Sequence, residues 1–479
     1  MLNNNVSRGL VAINFTPEHI LPKYFSPLSV ALLCLLVYTN TVLSYNEISL
    51  TAQLVVFTAL ALLWFSLVGF RLRSAVFASI VLIPASLIEG VGVFMLPGMA
   101  LTPNEIFSII AILMFFARPQ PLQYSRFITL LWTLFIVCLL SIVLADNPIS
   151  HIGQLLRLGL SITVLTVVVA SPGDVQKTPF FYAPLAWPFV VFAHLAGLEY
   201  LWRFLTFGEG RALNMAETGE VLLGSHMVVG YIFFFLPLLV YLRAPRLISF
   251  MLLSYFLILS IFSYSRSLVI GLALGLLFYI LILRVAKKRS FVQMVTFTAI
   301  VGGLVFGVVT MGFFSFGTNE GLKTSSSYLR IAKIAAAYQT YLDNPMFGIG
   351  YGAAAAIDGR RQAEWIQDPD VDFLSEFIIV KASAETTPLQ ILAETGTVGG
   401  VVSLFILALG FQRMMQLLRM EACPLSAKLT LLALAVLFVT GFVGGNSYAA
   451  IPFFMAIPFV FSNIRWGGSY PPCLHRVKI

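Results

Sequence analysis

The feature that most constrains this chain is the recurrence of apolar runs, each close to the length that an α-helix needs to cross a membrane. Hydrophobic residues fill 59% of the 479 positions and charged residues only 10%, whereas a soluble domain has about a quarter charged residues. Inside lipid the backbone must satisfy its own hydrogen bonds, which a helix does within one segment. The sequence therefore predicts an all-α fold, a polytopic transmembrane helical bundle of about 12–14 spans.

The candidate spans share a length of about 20 residues and few charges. They lie near 27–45, 51–70, 74–96, 104–117, 126–145, 154–171, 179–198, 221–242, 247–264, 267–283, 291–315, 389–411, 428–444 and 447–464. Two of them are irregular, because 104–117 is short and 154–171 has Arg157 near its start.

Charge in the loops predicts the orientation of the bundle. If the N-terminus is cytoplasmic, most of the 29 Lys and Arg residues fall on the cytoplasmic side, as the positive-inside rule requires. This predicts that both termini are cytoplasmic, and it accounts for a net charge of +8 without a nucleic-acid partner. The first residues lack the layout of a signal peptide, so we expect the first span to remain in the mature protein.

Two outer segments are unusually long, at 199–220 and 316–388. Loops of this length inside a compact protein are usually functional or disordered. The second has the pattern of an ordered loop, since a helix is expected from Tyr328 to about Leu342 and an Asn-Pro pair would end it. The glycines that follow allow tight turns or the close approach of a ligand.

Four ionisable residues on the outer side form the candidate site. Arg266, in a very short outer hairpin, is either an interfacial anchor that snorkels or a phosphate clamp, since its planar fork matches phosphate oxygens. Arg330 and Arg211, in the two long outer segments, are either solvated surface residues or parts of the same anion site. Glu385 precedes a membrane helix, where its charge suits the helix dipole; the other reading is a general base for an acceptor hydroxyl.

Motifs for metals and cofactors are missing from the sequence. The four cysteines form no CxxC pair, so neither a disulfide framework nor a zinc site is predicted. The acidic run DPDVDF, at 368–373, lacks the glycine and distal glutamate of a calcium loop. His151 has no visible partner, and Glu89 either pairs inside the bundle or marks a pathway. Without a Walker, dinucleotide or HExxH motif, no cofactor is expected.

Three stretches carry a resemblance to a known family. They are ILSIFSYSRSLVIGLALGLL, YLRIAKIAAAYQTYLDNPMFGIGYG and ETTPLQILAETGTVGG. With these stretches the chain resembles the O-antigen ligase and O-antigen polymerase superfamily of bacterial polytopic membrane glycosyltransferases. The order of the stretches, and the large outer loop between the first and the third, also match. The resemblance covers residues 205–445.

The resemblance implies an enzyme of the bacterial inner membrane with its active site on the periplasmic face and no metal. Its donor would be an oligosaccharide linked to polyprenyl pyrophosphate. Carried over by position, Arg266 and Arg330 would hold the pyrophosphate, and Arg211 would be a third donor contact. Glu385 and Thr386 stand where ligases have a His-Asn pair. This departure favours Glu385 as the base, and a polymerase of O-antigen, capsule or exopolysaccharide repeats.

The expected organisation has three parts. N-terminal transmembrane helices occupy 1–200, a ligase/polymerase-like core with the periplasmic loop 316–388 occupies 201–445, and a last transmembrane helix with a cytoplasmic tail occupies 446–479. Expected partners are the lipid-linked oligosaccharide, a glycan acceptor, membrane lipids, a chain-length regulator and a flippase. Two alternatives stay open: a ligase that transfers the glycan to a lipid core or protein, and a transporter or lipid flippase, whose usual internal repeats are not evident.

Overall fold

The computed structural model describes the N-terminal helices, part of the outer loop and the helix that follows it. The described residues are 27–45, 48–82, 94–96, 99–119, 125–145, 151–170, 334–353, 387–420 and 427–434, with scattered positions between 190 and 255 and Cys423. Their elements are α1 (Pro27–Tyr45), α2 (Leu50–Val68), α3 (Leu72–Val81), β1 (Phe94–Leu96), β2 (Met99–Leu101), α4 (Pro103–Ala117), α5 (Arg126–Val143), α6 (Ile152–Ala170), α7 (334–343), α8 (Thr387–Arg419) and α9 (427–434).

The described elements are helices apart from one small hairpin, which confirms the predicted all-α class. Four of them, α2, α5, α6 and α8, are long and apolar enough to cross a membrane. The bounds of α1, α2, α4, α5 and α6 lie within one or two residues of the predicted spans. The predicted spans at 221–242, 267–283, 291–315 and 447–464 lie outside the described residues, as does most of the long outer loop.

The third predicted span, 74–96, is wrong at its C-terminal end. A helix covers Leu72–Val81, but Phe94–Leu96 is a strand that pairs antiparallel with Met99–Leu101. Leu96 lies opposite Met99, so the Pro-Gly pair between them stands where the chain reverses. Pro-Gly is a strong turn signal, and here it outweighs the apolar character of its neighbours.

The core of the N-terminal bundle is built on buried aromatic rings. Trp64 of α2 is fully buried, and its indole N–H donates to Ser29 Oγ of α1 at 2.8 Å. The Phe107 ring of α4 lies edge-on to Trp64, with 5.7 Å between the ring centroids. Edge-to-face pairs of this kind stabilise packing beyond the burial of apolar area. From this core the contacts continue from α3 to α4, α6, α5 and finally α8.

One ion pair joins the two irregular spans. Arg157 Nε of α6 lies 3.1 Å from Glu105 Oε1 of α4, and both side chains are largely buried. The other carboxylate oxygen of Glu105 accepts the backbone N–H of Thr102 at 2.7 Å, which caps the start of α4. Charges in membrane segments are expected to pair inside the bundle, and this pair accounts for Arg157 near the start of its span.

Candidate functional site

The four predicted site residues, Arg211, Arg266, Arg330 and Glu385, all lie outside the described residues. Their convergence therefore stays a prediction. The described structure does include the chain next to two of them. It includes the loop helix α7 and the glycine-rich turn after it, and the helix α8 that follows Glu385.

The loop helix ends where the sequence predicts. Helical residues run to Asp343, and the turn 344–353 begins at the Asn-Pro pair. Within this turn, which we call the glycine turn, Gly348 has a φ of 67°. A Cβ at Gly348 would collide with the backbone of Ala393 and Glu394 in α8. Glycine is thus required here by both the backbone conformation and the close approach of a helix.

Helix α8 is interrupted at Gly396, which corrects the unbroken helix predicted across 389–411. Gly396 has φ 64° and ψ −166°, a conformation outside the helical region. Such a combination is essentially confined to glycine. A Cβ there would collide with the backbone of Met346 and Phe347 in the glycine turn. The break divides α8 into a short first half and a longer second half that reaches Arg419.

The glycine turn supplies the hydrogen bonds that the interruption removes. Ile349 N–H donates to Ala393 O at 2.9 Å, where the first half of α8 ends. In return Thr397 N–H, at the start of the second half, donates to Pro345 O at 2.8 Å. Helix ends carry backbone groups without partners inside the helix, and each end of this break finds its partners in the turn. The turn therefore approaches the helix rather than a free cavity.

Glu394 is the buried polar side chain at the centre of this contact. It is 1% exposed. Its Oε2 accepts the backbone N–H of Gly352 at 3.0 Å, and its Oε1 accepts the side-chain amide of Gln390 at 3.1 Å. Its backbone carbonyl accepts Gly350 N–H at 3.0 Å. Glu394 thus bonds the glycine turn through both its side chain and its backbone.

The glycine turn also contacts the N-terminal bundle. Tyr351 N–H donates to Ser141 Oγ of α5 at 3.1 Å, across 210 positions of sequence. A Cβ on Gly352 would lie 2.9 Å from Gln154 Cγ and 3.9 Å from His151 Nδ1. His151, without a visible partner in the sequence, therefore lies beside the glycine turn. Helices from outside the loop thus form one wall of this site.

The Tyr351 phenol is fully buried in this wall. Burial raises its pKa well above the ordinary value, and Cys138 and Glu394 raise it further, whereas Arg157 lowers it. A phenol with a raised pKa holds its proton at neutral pH. The Tyr351 phenol is therefore expected to be neutral.

Helices α7 and α8 run in the same direction. The hydroxyl of Tyr341, near the end of α7, lies 3.0 Å from Thr397 Oγ1. One turn earlier in α7, Ala336 and Ala337 are buried in a small cluster with Ala393, against which Leu389 packs. Since the later residues of α7 meet the later residue of α8, the first described residues of the two helices, 334 and Thr387, lie toward the same end of the pair.

Sequence reasoning missed two features of this site. Glu394 stands in an apolar segment, and an ionisable residue in such a segment is a signal of function, whereas the motif resemblance favours Glu385. The contact with Ser141 has no sequence signal, because nothing local connects positions 210 residues apart. Among the described residues, no three His, Cys, Asp or Glu side chains come together as a metal site.

A family model supports the resemblance seen in the motifs. Residues 248–404 match the model described as Wzy_C, O-Antigen ligase. This range contains all three motif stretches, with Arg266, Arg330 and Glu385, but it leaves Arg211 outside. No curated protein matches the chain. The glycine turn and the interrupted helix lie inside the matched range, and the match supports the resemblance of this chain to the O-antigen ligase and polymerase superfamily.

Proposed function

We propose that this protein is a membrane glycosyltransferase that polymerises oligosaccharide repeats linked to polyprenyl pyrophosphate. The reaction takes place on the periplasmic face of the bacterial inner membrane, and its product is an O-antigen, a capsule or an exopolysaccharide. The match to the O-antigen ligase model supports the reaction class. The replacement of the ligase His-Asn pair by Glu385 and Thr386 supports polymerase over ligase.

The observation that carries the proposal is the common direction of α7 and α8. Arg330 precedes residue 334 of α7 by four positions, and Glu385 precedes Thr387 of α8 by two. Because a chain extends at most about 3.6 Å per residue, Arg330 lies within roughly 14 Å of residue 334, and Glu385 within roughly 7 Å of Thr387. The contacts between α7 and α8 put residue 334 and Thr387 toward the same end of the helix pair. This arrangement favours one site shared by the phosphate clamp and the base.

The proposed chemistry assigns each residue one task. A sugar hydroxyl of the acceptor repeat attacks the anomeric carbon of the donor, and its proton passes to the Glu385 carboxylate. The bond between that carbon and the pyrophosphate oxygen breaks, and the pyrophosphate leaves with the electron pair. Arg266 and Arg330, with Arg211 as a third contact, stabilise the charge that develops on the leaving group. The backbone N–H groups from Gly348 to Ala353 have protein acceptors, which favours the arginines as the groups that bind the pyrophosphate.

The second candidate is a ligase that moves the finished glycan to a lipid core or a protein. The match to the O-Antigen ligase family model favours it. It shares the donor, the arginines and the leaving group with the polymerase, and it differs in the acceptor alone.

A reaction with purified components distinguishes these functions. The detergent-solubilised protein is mixed with a polyprenyl pyrophosphate-linked oligosaccharide and no other acceptor, and products are resolved by size. We expect a ladder of longer lipid-linked glycans together with free polyprenyl pyrophosphate. A reaction that starts only when a lipid core or protein acceptor is added would establish the ligase. Movement of the intact donor across liposomes without turnover would establish a transporter instead.

Substitution of the proposed site residues tests their roles in the same reaction. Arg266→Ala and Arg330→Ala should abolish polymer while the protein remains inserted, because each removes a positive charge from the leaving pyrophosphate. Glu385→Gln should lower kcat by about 100-fold or more while donor binding is largely kept, since general-base catalysis contributes factors of this size. Normal polymer from both arginine variants would exclude the phosphate clamp, and full activity of Glu385→Gln would exclude the base.

A further inference from the structure

Among the described residues of the matched range, Glu394 is a buried carboxylate to which the proposed chemistry gives no task. Its position is defined by three hydrogen bonds. The carboxylate accepts from Gly352 N–H and from the Gln390 amide, and the backbone carbonyl accepts from Gly350 N–H. The Glu394 side chain is 1% exposed, so its carboxylate has little access to water as a substitute for these donors. A buried polar group that loses its partners is costly, so the three bonds hold the turn in one register.

That register determines where two helices stand. The glycine turn is the continuation of α7, and Glu394 lies in the last turn of the first half of α8. A shift of the turn along α8 would move α7 with it, and would break the contact between Tyr341 and Thr397. Arg330 and Glu385 precede α7 and α8 in the sequence. A shift of these helices would therefore move the points from which the chain leads to the two residues.

We propose that Glu394 is a positioning residue whose carboxylate sets the register of the glycine turn against the break in α8. It thereby holds the phosphate-clamp arginine and the base in one arrangement. This inference rests on the proposed function. The chemistry of the side chain suits the task, because an ionised carboxylate accepts on both oxygens. Glutamine at this position has one acceptor oxygen and one donor amide group. That amide group would face either Gly352 N–H or the Gln390 amide, and both of these are also donors.

The test compares turnover with a direct measure of the register. Glu394→Ala and Glu394→Gln are purified, and kcat and KM for the lipid-linked donor are measured in the polymerisation reaction. In parallel, Tyr341→Cys with Thr397→Cys is introduced into each background with Cys473→Ser. The pair is treated with a short bifunctional thiol reagent. The native cysteines Cys34, Cys138 and Cys423 are buried, so background reaction is low.

For Glu394→Ala we expect kcat to fall by about 100-fold, a loss typical of a misplaced catalytic group. KM for the donor should change little, and cross-linking between positions 341 and 397 should fall with kcat. Glu394→Gln should lie between wild type and Glu394→Ala in both measurements, because it keeps one acceptor. The matched control is Glu105→Gln, which changes another buried carboxylate whose hydrogen-bond and ion-pair partners, Thr102 and Arg157, lie outside the glycine turn. It should leave cross-linking unchanged.

Two results would overturn the proposal. Normal kcat in Glu394→Ala would mean that the register does not depend on the carboxylate. Lost kcat with unchanged cross-linking would mean that Glu394 acts in the reaction itself. If Glu394→Ala fails to insert into the membrane, Gln390→Leu is the second variant, because it removes the contact at Glu394 Oε1 and leaves the carboxylate in place. Wild-type kcat together with wild-type cross-linking in Gln390→Leu would also refute the proposal. Cross-linking does not depend on turnover. If the wild-type protein shows no polymerase activity, the proposed function is refuted, but the register can still be measured by cross-linking.

Discussion

At the residue scale, Gly396 shows how one position serves both backbone conformation and packing. Its dihedral angles are open to glycine almost alone, and the backbone of Met346 and Phe347 occupies the space where a side chain would begin. Gly69, at the end of α2, shares the positive φ, at 90°, but its nearest neighbouring atoms lie 3.7 Å or more from an ideal Cβ. A comparison of substitutions at the two glycines therefore separates the free-energy cost of the backbone conformation from the free-energy cost of a steric collision.

Gly396→Ala should lower the free energy of unfolding more than Gly69→Ala does. Both substitutions carry a conformational cost of about 1–3 kcal/mol, but only the first also pushes the glycine turn off α8. Thermal unfolding of each purified variant in detergent, followed by tryptophan fluorescence, measures the difference. Equal melting temperatures for the two variants would mean that the turn gives way without cost. Polymer formation should be lost in Gly396→Ala alone.

At the element scale, the short helix α4 and the charged helix α6 depend on each other. Glu105 caps its own helix through Thr102 N–H and pairs with Arg157 across the bundle. Removing one member of a buried pair leaves the other without compensation, which costs more than the pair contributes. Arg157 keeps 27% of its side-chain exposure, so water offsets part of that cost.

A double-mutant cycle measures this dependence. Arg157→Gln and Glu105→Gln should each destabilise the protein, whereas the double variant should be more stable than the sum of the two losses predicts, by about 0.5–3 kcal/mol. The measurement is denaturant unfolding in mixed micelles for the wild type and three variants. Strict additivity would show that the 3.1 Å contact contributes nothing to the fold. The coupling should persist at high salt, because largely buried pairs are weakly screened.

At the scale of the whole molecule, the matched domain is supported by helices outside it. Residues 248–404 match the family model, yet the glycine turn inside this range bonds to Ser141 of α5 and packs against Gln154 of α6. Helix α8 likewise packs on α5. The N-terminal helices therefore act as a scaffold that contacts both the glycine turn and α8.

Thiol labelling tests the predicted topology of the whole molecule. Cysteine at position 330 or 360, in a Cys473→Ser background, should react with a membrane-impermeant thiol reagent added to intact cells with a permeable outer membrane. Both positions lie in the loop predicted to be periplasmic, and the buried native cysteines Cys34, Cys138 and Cys423 provide a low background. Labelling that requires lysis of the inner membrane would reverse the predicted orientation.

Much of the helical architecture could be predicted from single stretches of sequence. The length of an apolar run limits a membrane helix directly, so the bounds of α1, α4 and α5 differ little from the prediction. The same reasoning failed at 94–96, where a Pro-Gly pair turns an apolar run into a hairpin. It also failed at Gly396, because a continuous helix that contains a glycine has the same sequence pattern as a helix that is interrupted at a glycine.

By itself the sequence determined the helical class, most helix ends and the motifs of the matched domain, because apolar run length and local turn residues act over a few positions. Only the tertiary structure decided that α8 is interrupted, that Glu394 bonds the glycine turn, and that Ser141 and Arg157 have the partners they have. The physical reason is that a buried polar group must find a partner wherever the chain brings one within hydrogen-bond distance. That partner is 42 positions away for Glu394 and 210 for Ser141, beyond the reach of any local pattern.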